Sequence, residues 1–149
     1  MHLRVLANRL ALLVPLSLAF VLAACTSIIV RPLDYDSQAR FICIQENPKV
    51  IVTDFLPVLR EGLTRNNFSS QVFQGKLPET CDLVLTYTAL RSWDFAPYLS
   101  HAELRLEMNG QEVGYGEFHL KGKGGYSMYK WQGTKTKMDP VIDQLFEGY

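Results

Sequence analysis

Asn109-Gly110 constrains this chain more than any other pair of residues. An Asn-Gly pair between two alternating segments is the favoured two-residue hairpin turn, because both positions tolerate positive φ. Tyr98 to Met108 precedes it and Gln111 to Lys121 follows, both with strand-forming content, so the two are expected to pair antiparallel. Register then decides what each strand buries. A tight two-residue turn sets Phe118 opposite His101 and aims Phe118 and Leu120 at the face of Glu103 and Arg105. One extra residue within Gly114-Tyr115-Gly116, a natural β-bulge site, instead gives Leu104, Leu106, Phe118 and Leu120 one shared buried face. His101 then faces His119, and Glu103 faces Glu117.

The rest of the chain supplies elements to pack on this hairpin. Arg40 to Gln45 is β-branched and aromatic and reads as a strand, turned by Glu46-Asn47-Pro48. Val52, Leu56, Leu59 and Leu63, with Phe55 beside them, have the spacing of a one-faced helix. Pro57 fits if that helix starts near Thr53 or Asp54, either of which can cap it, and Asn66-Asn67 ends it. Ser70 to Gln74 and Asp82 to Trp93 read as strands, with Ala96-Pro97 interrupting before the hairpin. Residues 121–137 read as a loop. Asp139 is then expected to cap a last helix with Pro140 in its first position, running past Ile142, Leu145 and Phe146. The order β-α-β-β-β-β-α predicts an α+β fold. It is a two-layer sandwich, with a mainly antiparallel sheet of about five strands and two helices on one face.

The N-terminal segment points to a compartment. Residues 1–24 carry Arg4 and Arg9 and no acid, and Leu10 to Ala24 is uncharged, which is the layout of an export signal. The apolar run is short for a membrane span unless it continues past Cys25, and Pro15 weakens a continuous helix. Leu22-Ala23-Ala24-Cys25 resembles the lipobox of bacterial lipoproteins. The resemblance implies lipid on the Cys25 sulfur, cleavage before it, and acylation of the new amino terminus. Thr26 follows where an Asp would retain the protein at the inner membrane, so resemblance to Gram-negative lipoproteins implies the outer membrane, lipid-anchored on its periplasmic side. The expected organisation is a signal peptide over 1–24, a lipidated tether over 25–39 and a single α+β periplasmic domain over 40–149. Ser27 to Val30 is the alternative, an added edge strand.

Removing residues 1–24 leaves 125 of the 149 residues, enough for one domain with a real core. It also removes two of the 15 basic residues and none of the 15 acidic ones, so the mature charge is −2. That excludes the electrostatic footprint of a nucleic-acid binder. Export exposes Cys43 and Cys81 to an oxidising compartment, where a disulfide closing a loop worth about 4 kcal/mol is the favoured reading. Two buried thiols or metal ligands are the alternatives, though two cysteines without a nearby histidine are poor zinc spacing.

Cys43, Glu46-Asn47-Pro48, Cys81, Tyr87-Thr88-Ala89, Trp93-Asp94, Tyr98, Gly124-Gly125 and Leu145-Phe146 together resemble a family of small bacterial lipoproteins of unknown function. The resemblance implies a lipoprotein with a two-cysteine α+β domain and no assigned chemistry.

Three constellations bear on chemistry. His101, Glu103, Glu117 and His119 on one sheet face have the residue types of a metal site. Arg105, Glu107 and Lys121 share that face, and a solvated polar face accounts for all of them. Gly122 to Ser127 lacks the helix-opening Gly-Lys-Ser/Thr of a phosphate loop, and Ser92, Ser100 and Ser127 lack a nucleophile elbow. Trp93, Phe95, Tyr98, Tyr126, Tyr129 and Trp131 suit either a partner surface or the closed end of a small core, and the core is favoured. No catalytic residue and no cofactor is expected. The expected function is a non-catalytic structural or accessory component of an envelope assembly, with the membrane and an envelope protein as partners. The alternative is a small metal-binding protein or hydrolase using the His/Glu cluster.

Overall fold

A computed structural model describes residues 26–34 and 40–149; the signal segment, Cys25 and residues 35–39 of the expected tether lie outside the described residues. The elements are β1 (Thr26–Arg31), β2 (Phe41–Gln45), α1 (Phe55–Arg65), β3 (Ser69–Phe73), β4 (Leu83–Asp94), β5 (Ala96–Met108), β6 (Gln111–Leu120) and α2 (Thr134–Leu145). Two short 3-10 turns, Lys121–Gly124 and Met128–Trp131, join β6 to α2. The architecture is α+β as expected. Among the described residues, one sheet holds all six strands in the order β1-β6-β5-β4-β2-β3.

Two expectations about the sheet need correction. It has six strands rather than five, because Thr26–Arg31 pairs antiparallel with β6 instead of serving as tether. It is also mixed: β2 runs parallel to both β3 and β4. For β2 and β3 the reason is the connection. α1 lies between β2 and β3, and a helical crossover returns the chain in the same direction. Alternation along a strand carries no information on that direction. β2 is covered on both faces, with Ile42, Cys43 and Ile44 all buried. The disulfide between Cys43 and Cys81, with Cα atoms 5.9 Å apart, closes its outer face together with Phe73 and Val84.

The hairpin register is the one with the bulge: His101 pairs with His119, Glu103 with Glu117 and Leu106 with Gly114. The extra residue is Val113, one position before the expected glycine segment, since Glu107 already pairs with Glu112. Gly116 has a different task. A Cβ there would lie 2.8 Å from Val141 Cγ1, so the glycine lets α2 rest directly on β6. Leu104, Leu106, Phe118 and Leu120 are buried as expected, in one core with Val141, Ile142 and Leu145 of α2 and Leu59 and Leu63 of α1.

Both helices carry surprises at their starts. Asp54 precedes α1 but does not cap it with its side chain; its Oδ1 accepts a hydrogen bond from Thr134 Oγ1 at 2.9 Å, joining the starts of the two helices. Pro57 is the third helical residue, where the missing N–H costs nothing. α2 begins at Thr134, not at Asp139, so Pro140 sits inside it. The extra turns are held by tertiary burial: Lys137 and Met138 are fully covered. Lys137 Nζ donates to the carbonyls of Leu99 at 3.0 Å and Lys130 at 2.5 Å. Burial pulls the Lys137 amine down to about 8.

Candidate functional site

Register fixes which loops share one end of the sheet. Thr26, the first residue of β1, lies opposite Leu120, the last of β6. β5 begins at this end, and Asp94 pairs with Ala96 across the tip of the β4–β5 turn. Thr26 therefore lies at the end of the sheet that carries that turn and the connection from Lys121 to Gly133. No acidic residue occurs from Lys121 through Met138, whereas five lysines do.

Phe95 stands at the tip of the β4–β5 turn with φ 60, a backbone region that bulky residues rarely adopt. The turn is braced from behind. Lys130, only 5% exposed, donates to Asp94 Oδ2 at 2.5 Å and to the Gly125 carbonyl at 2.8 Å. Trp131 Nε1 donates to the Asp94 carbonyl at 2.9 Å. The second tip carries Tyr126 after a run of positive φ from Gly122 to Gly125, and Lys123 is the one non-glycine in that run.

These braces divide the six aromatics, expected mainly to close the core and alternatively to form a partner surface, into two groups. Tyr98 is buried, with its hydroxyl on the Lys123 carbonyl at 3.3 Å, and Tyr129 and Trp131 pack against the core. Burial raises the Tyr129 hydroxyl above its ordinary range. Trp93 (74% exposed), Phe95 (88%) and Tyr126 project outward, and Met128, which the sequence did not single out, joins them. Together these side chains make an exposed apolar patch on braced turns.

The outer face of β5 and β6 carries the second constellation. His101 Nδ1 lies 3.2 Å from His119 Nδ1 and 3.8 Å from Glu117 Oε1, and one donor atom from each of the three falls within a 4.8 Å set. Glu103 stands one step outside: its Oε1 meets His101 Nε2 at 3.1 Å, and its Oε2 accepts from Arg105 at 2.6 Å. The Arg105 guanidinium holds the Glu103 carboxyl below the usual carboxylate range. Arg105 also donates to Glu112 at 2.9 Å and lies over the Tyr115 ring, so its charge is engaged within the face. Tyr115, another residue missed from sequence, donates to Glu117 Oε2 at 2.9 Å. Partial burial, aided by that hydrogen bond, pushes its hydroxyl up to about 12. An open groove of about 610 Å³, bordered by Leu90, Ser100 and Lys123, runs along the cluster.

The class defined so far is a two-layer α+β domain with helices on one face and a braced aromatic rim at one end. No family model matches the chain, and no curated protein matches it either. Among solved structures, its fold is similar to PelC from Paraburkholderia phytofirmans, crystallised as a dodecamer. A point variant in space group C2 aligns with a TM-score of 0.55 at 10% identity, over 80% of this chain and 97% of that one. The protein in space group P6 gives 0.53 at 10% identity, over 80% and 95%. At that identity the likeness is one of fold.

Proposed function

We propose that the chain is an outer-membrane lipoprotein, acylated on Cys25, whose domain serves as a non-catalytic structural or accessory subunit of an envelope assembly on the periplasmic side. One observation carries the reading: β1 starts at Thr26, directly after Cys25, at the same end as Trp93, Phe95, Tyr126 and Met128. A lipid on Cys25 leaves no spacer, so it holds this rim against the headgroups. Aromatic residues with lysines beside them suit that interface. Acyl chains confine the domain to the membrane surface, raising its effective concentration for partners there. The assembly part of the reading draws on β1, an edge strand among the described residues with Ile28 and Ile29 exposed, and on a fold neighbour that crystallised as a dodecamer.

The test is expression of the full chain in a Gram-negative host, with density-gradient separation of the membranes and mass spectrometry of the N-terminal peptide. A mature chain beginning at acylated Cys25 in the outer-membrane fraction is expected, and Cys25→Ser should leave it uncleaved or soluble. An unmodified N-terminus overturns the anchor; an acylated chain in the inner membrane overturns its placement.

A further inference from the structure

We infer that His101, His119 and Glu117 form a binding site for a divalent transition-metal ion of the zinc class on the outer face of the β5–β6 hairpin. This does not rest on the anchoring described above. The bulge at Val113 is the device that creates the site. Without that extra residue His101 would face Phe118, and His119 would turn toward the helices; with it, both imidazoles stand on one face as a directly opposed pair.

The spacing suits a metal. Zinc holds imidazole nitrogens at about 2.0–2.1 Å in a tetrahedral shell, which sets neighbouring ligand atoms roughly 3.3 Å apart. The two Nδ1 atoms lie 3.2 Å apart, and Glu117 Oε1 lies 3.8 Å from the first of them. Their hydrogen bonding prepares them for this. A Glu103 carboxylate can only accept at His101 Nε2, and in the neutral ring that leaves a lone pair on Nδ1; His119 Nδ1 is then the donor in the Nδ1–Nδ1 contact and gives up that proton when the ion binds. A carboxylate behind a ligating histidine is the usual orienting partner at such centres. Tyr115 occupies Oε2 of Glu117 and leaves Oε1 for the ion.

The nearby guanidiniums are engaged: Arg105 pairs with Glu103 and Glu112, and Arg31 pairs with Glu112, so Glu103, Glu112 and Glu117 set three carboxylates beside two guanidiniums. Two imidazoles and one carboxylate select zinc, cobalt, nickel or copper over calcium and magnesium. Three protein ligands leave a fourth position, which opens toward the groove. All three ligands stand on paired strands and not on loops, so their spacing is fixed by the ladder. Glu103, a candidate ligand by sequence, becomes the residue that positions one.

The experiment is calorimetric titration of the full, detergent-solubilised chain with ZnCl₂ after chelator treatment, with CoCl₂ as a spectroscopic probe. One equivalent of zinc should bind, and cobalt should show the visible bands of a four-coordinate His/carboxylate site. His119→Ala and Glu117→Gln should each weaken zinc binding more than about 100-fold, and Glu103→Gln by about 10- to 100-fold. Glu107→Gln, on the same face outside the cluster, should change nothing. All four substitutions lie on the solvent side, and unchanged melting of the metal-free variants checks their fold. No stoichiometric binding, or binding that survives both His119→Ala and Glu117→Gln, overturns the inference.

Discussion

Lys130 donates a 2.5 Å hydrogen bond to Asp94 from a nearly enclosed position, joining the β4–β5 turn to the connection before α2. The amine also holds the Gly125 carbonyl, so one side chain braces both tips of the aromatic rim. Lys130→Met keeps the packed stem and removes both bonds. A hydrogen bond to a charged group is worth about 1.5–3 kcal/mol. Denaturant unfolding should register a loss in that range, and hydrogen exchange should quicken at residues 93–96 and 122–126. Unchanged exchange there would mean that Trp131 alone holds the turn.

The seating of the rim on a membrane has a direct optical readout, because the chain contains only two tryptophans. Trp131 is half-buried and bonded to Asp94, whereas Trp93 projects from the turn. In the lipidated chain reconstituted into phosphatidylethanolamine–phosphatidylglycerol vesicles, brominated acyl chains should quench Trp93 strongly. Quenching should persist in Trp131→Phe and largely vanish in Trp93→Phe. A blue-shifted Trp93 that bromine does not quench would assign the rim to a protein contact.

Lys137 makes stability depend on pH. Its amine is charged below about 8 in the folded chain, while an unfolded lysine keeps its proton to about 10.4. Below 8 both states are protonated and burial of the charge is fully opposed. Between 8 and 10.4 the unfolded chain binds the extra proton, so stability rises with pH through that window. Relative to Lys137→Met, the wild type should gain about 3 kcal/mol from pH 7 to pH 10.5. Taking the difference cancels the tyrosines common to both, Tyr115 included. Parallel stability curves for the two proteins would show that Lys137 reaches solvent.

How much of this was legible depends on what each residue signals locally. Leu104, Leu106, Phe118 and Leu120 gave away their shared face because a period of two, combined with a known turn, leaves few registers. The same argument put His101 opposite His119. Lys130 and Lys137 were hidden, since in a lysine-rich stretch nothing local distinguishes a buried amine from a solvated one. Their burial is decided by carbonyls at Leu99 and Gly125, far along the chain or across a turn. β1 was half visible: Ser27 to Val30 has strand content, but only its partner β6 makes it an edge strand and not a tether. Tyr115 and Arg105 bond to Glu117 and Glu103, each two residues along its own strand; a period of two puts such pairs on one face but does not say which of them will bond.

Gly116 is the sharpest case, a residue whose neighbourhood suggested a bulge and whose task is contact. Its position on β6 lies opposite Leu104, under Val141 of α2. A methyl group there would come within 2.8 Å of Val141 Cγ1, closer than carbon atoms approach without movement. Gly116→Ala must therefore lift α2 from the sheet or turn Val141, and overpacking of this kind costs about 1–3 kcal/mol. Val141→Ala removes the atom in the way and should restore part of the loss. A double-mutant cycle by thermal or denaturant unfolding measures the coupling, expected at about 0.5–3 kcal/mol. Strictly additive losses at Gly116 and Val141 would show that the helix does not rest on this glycine.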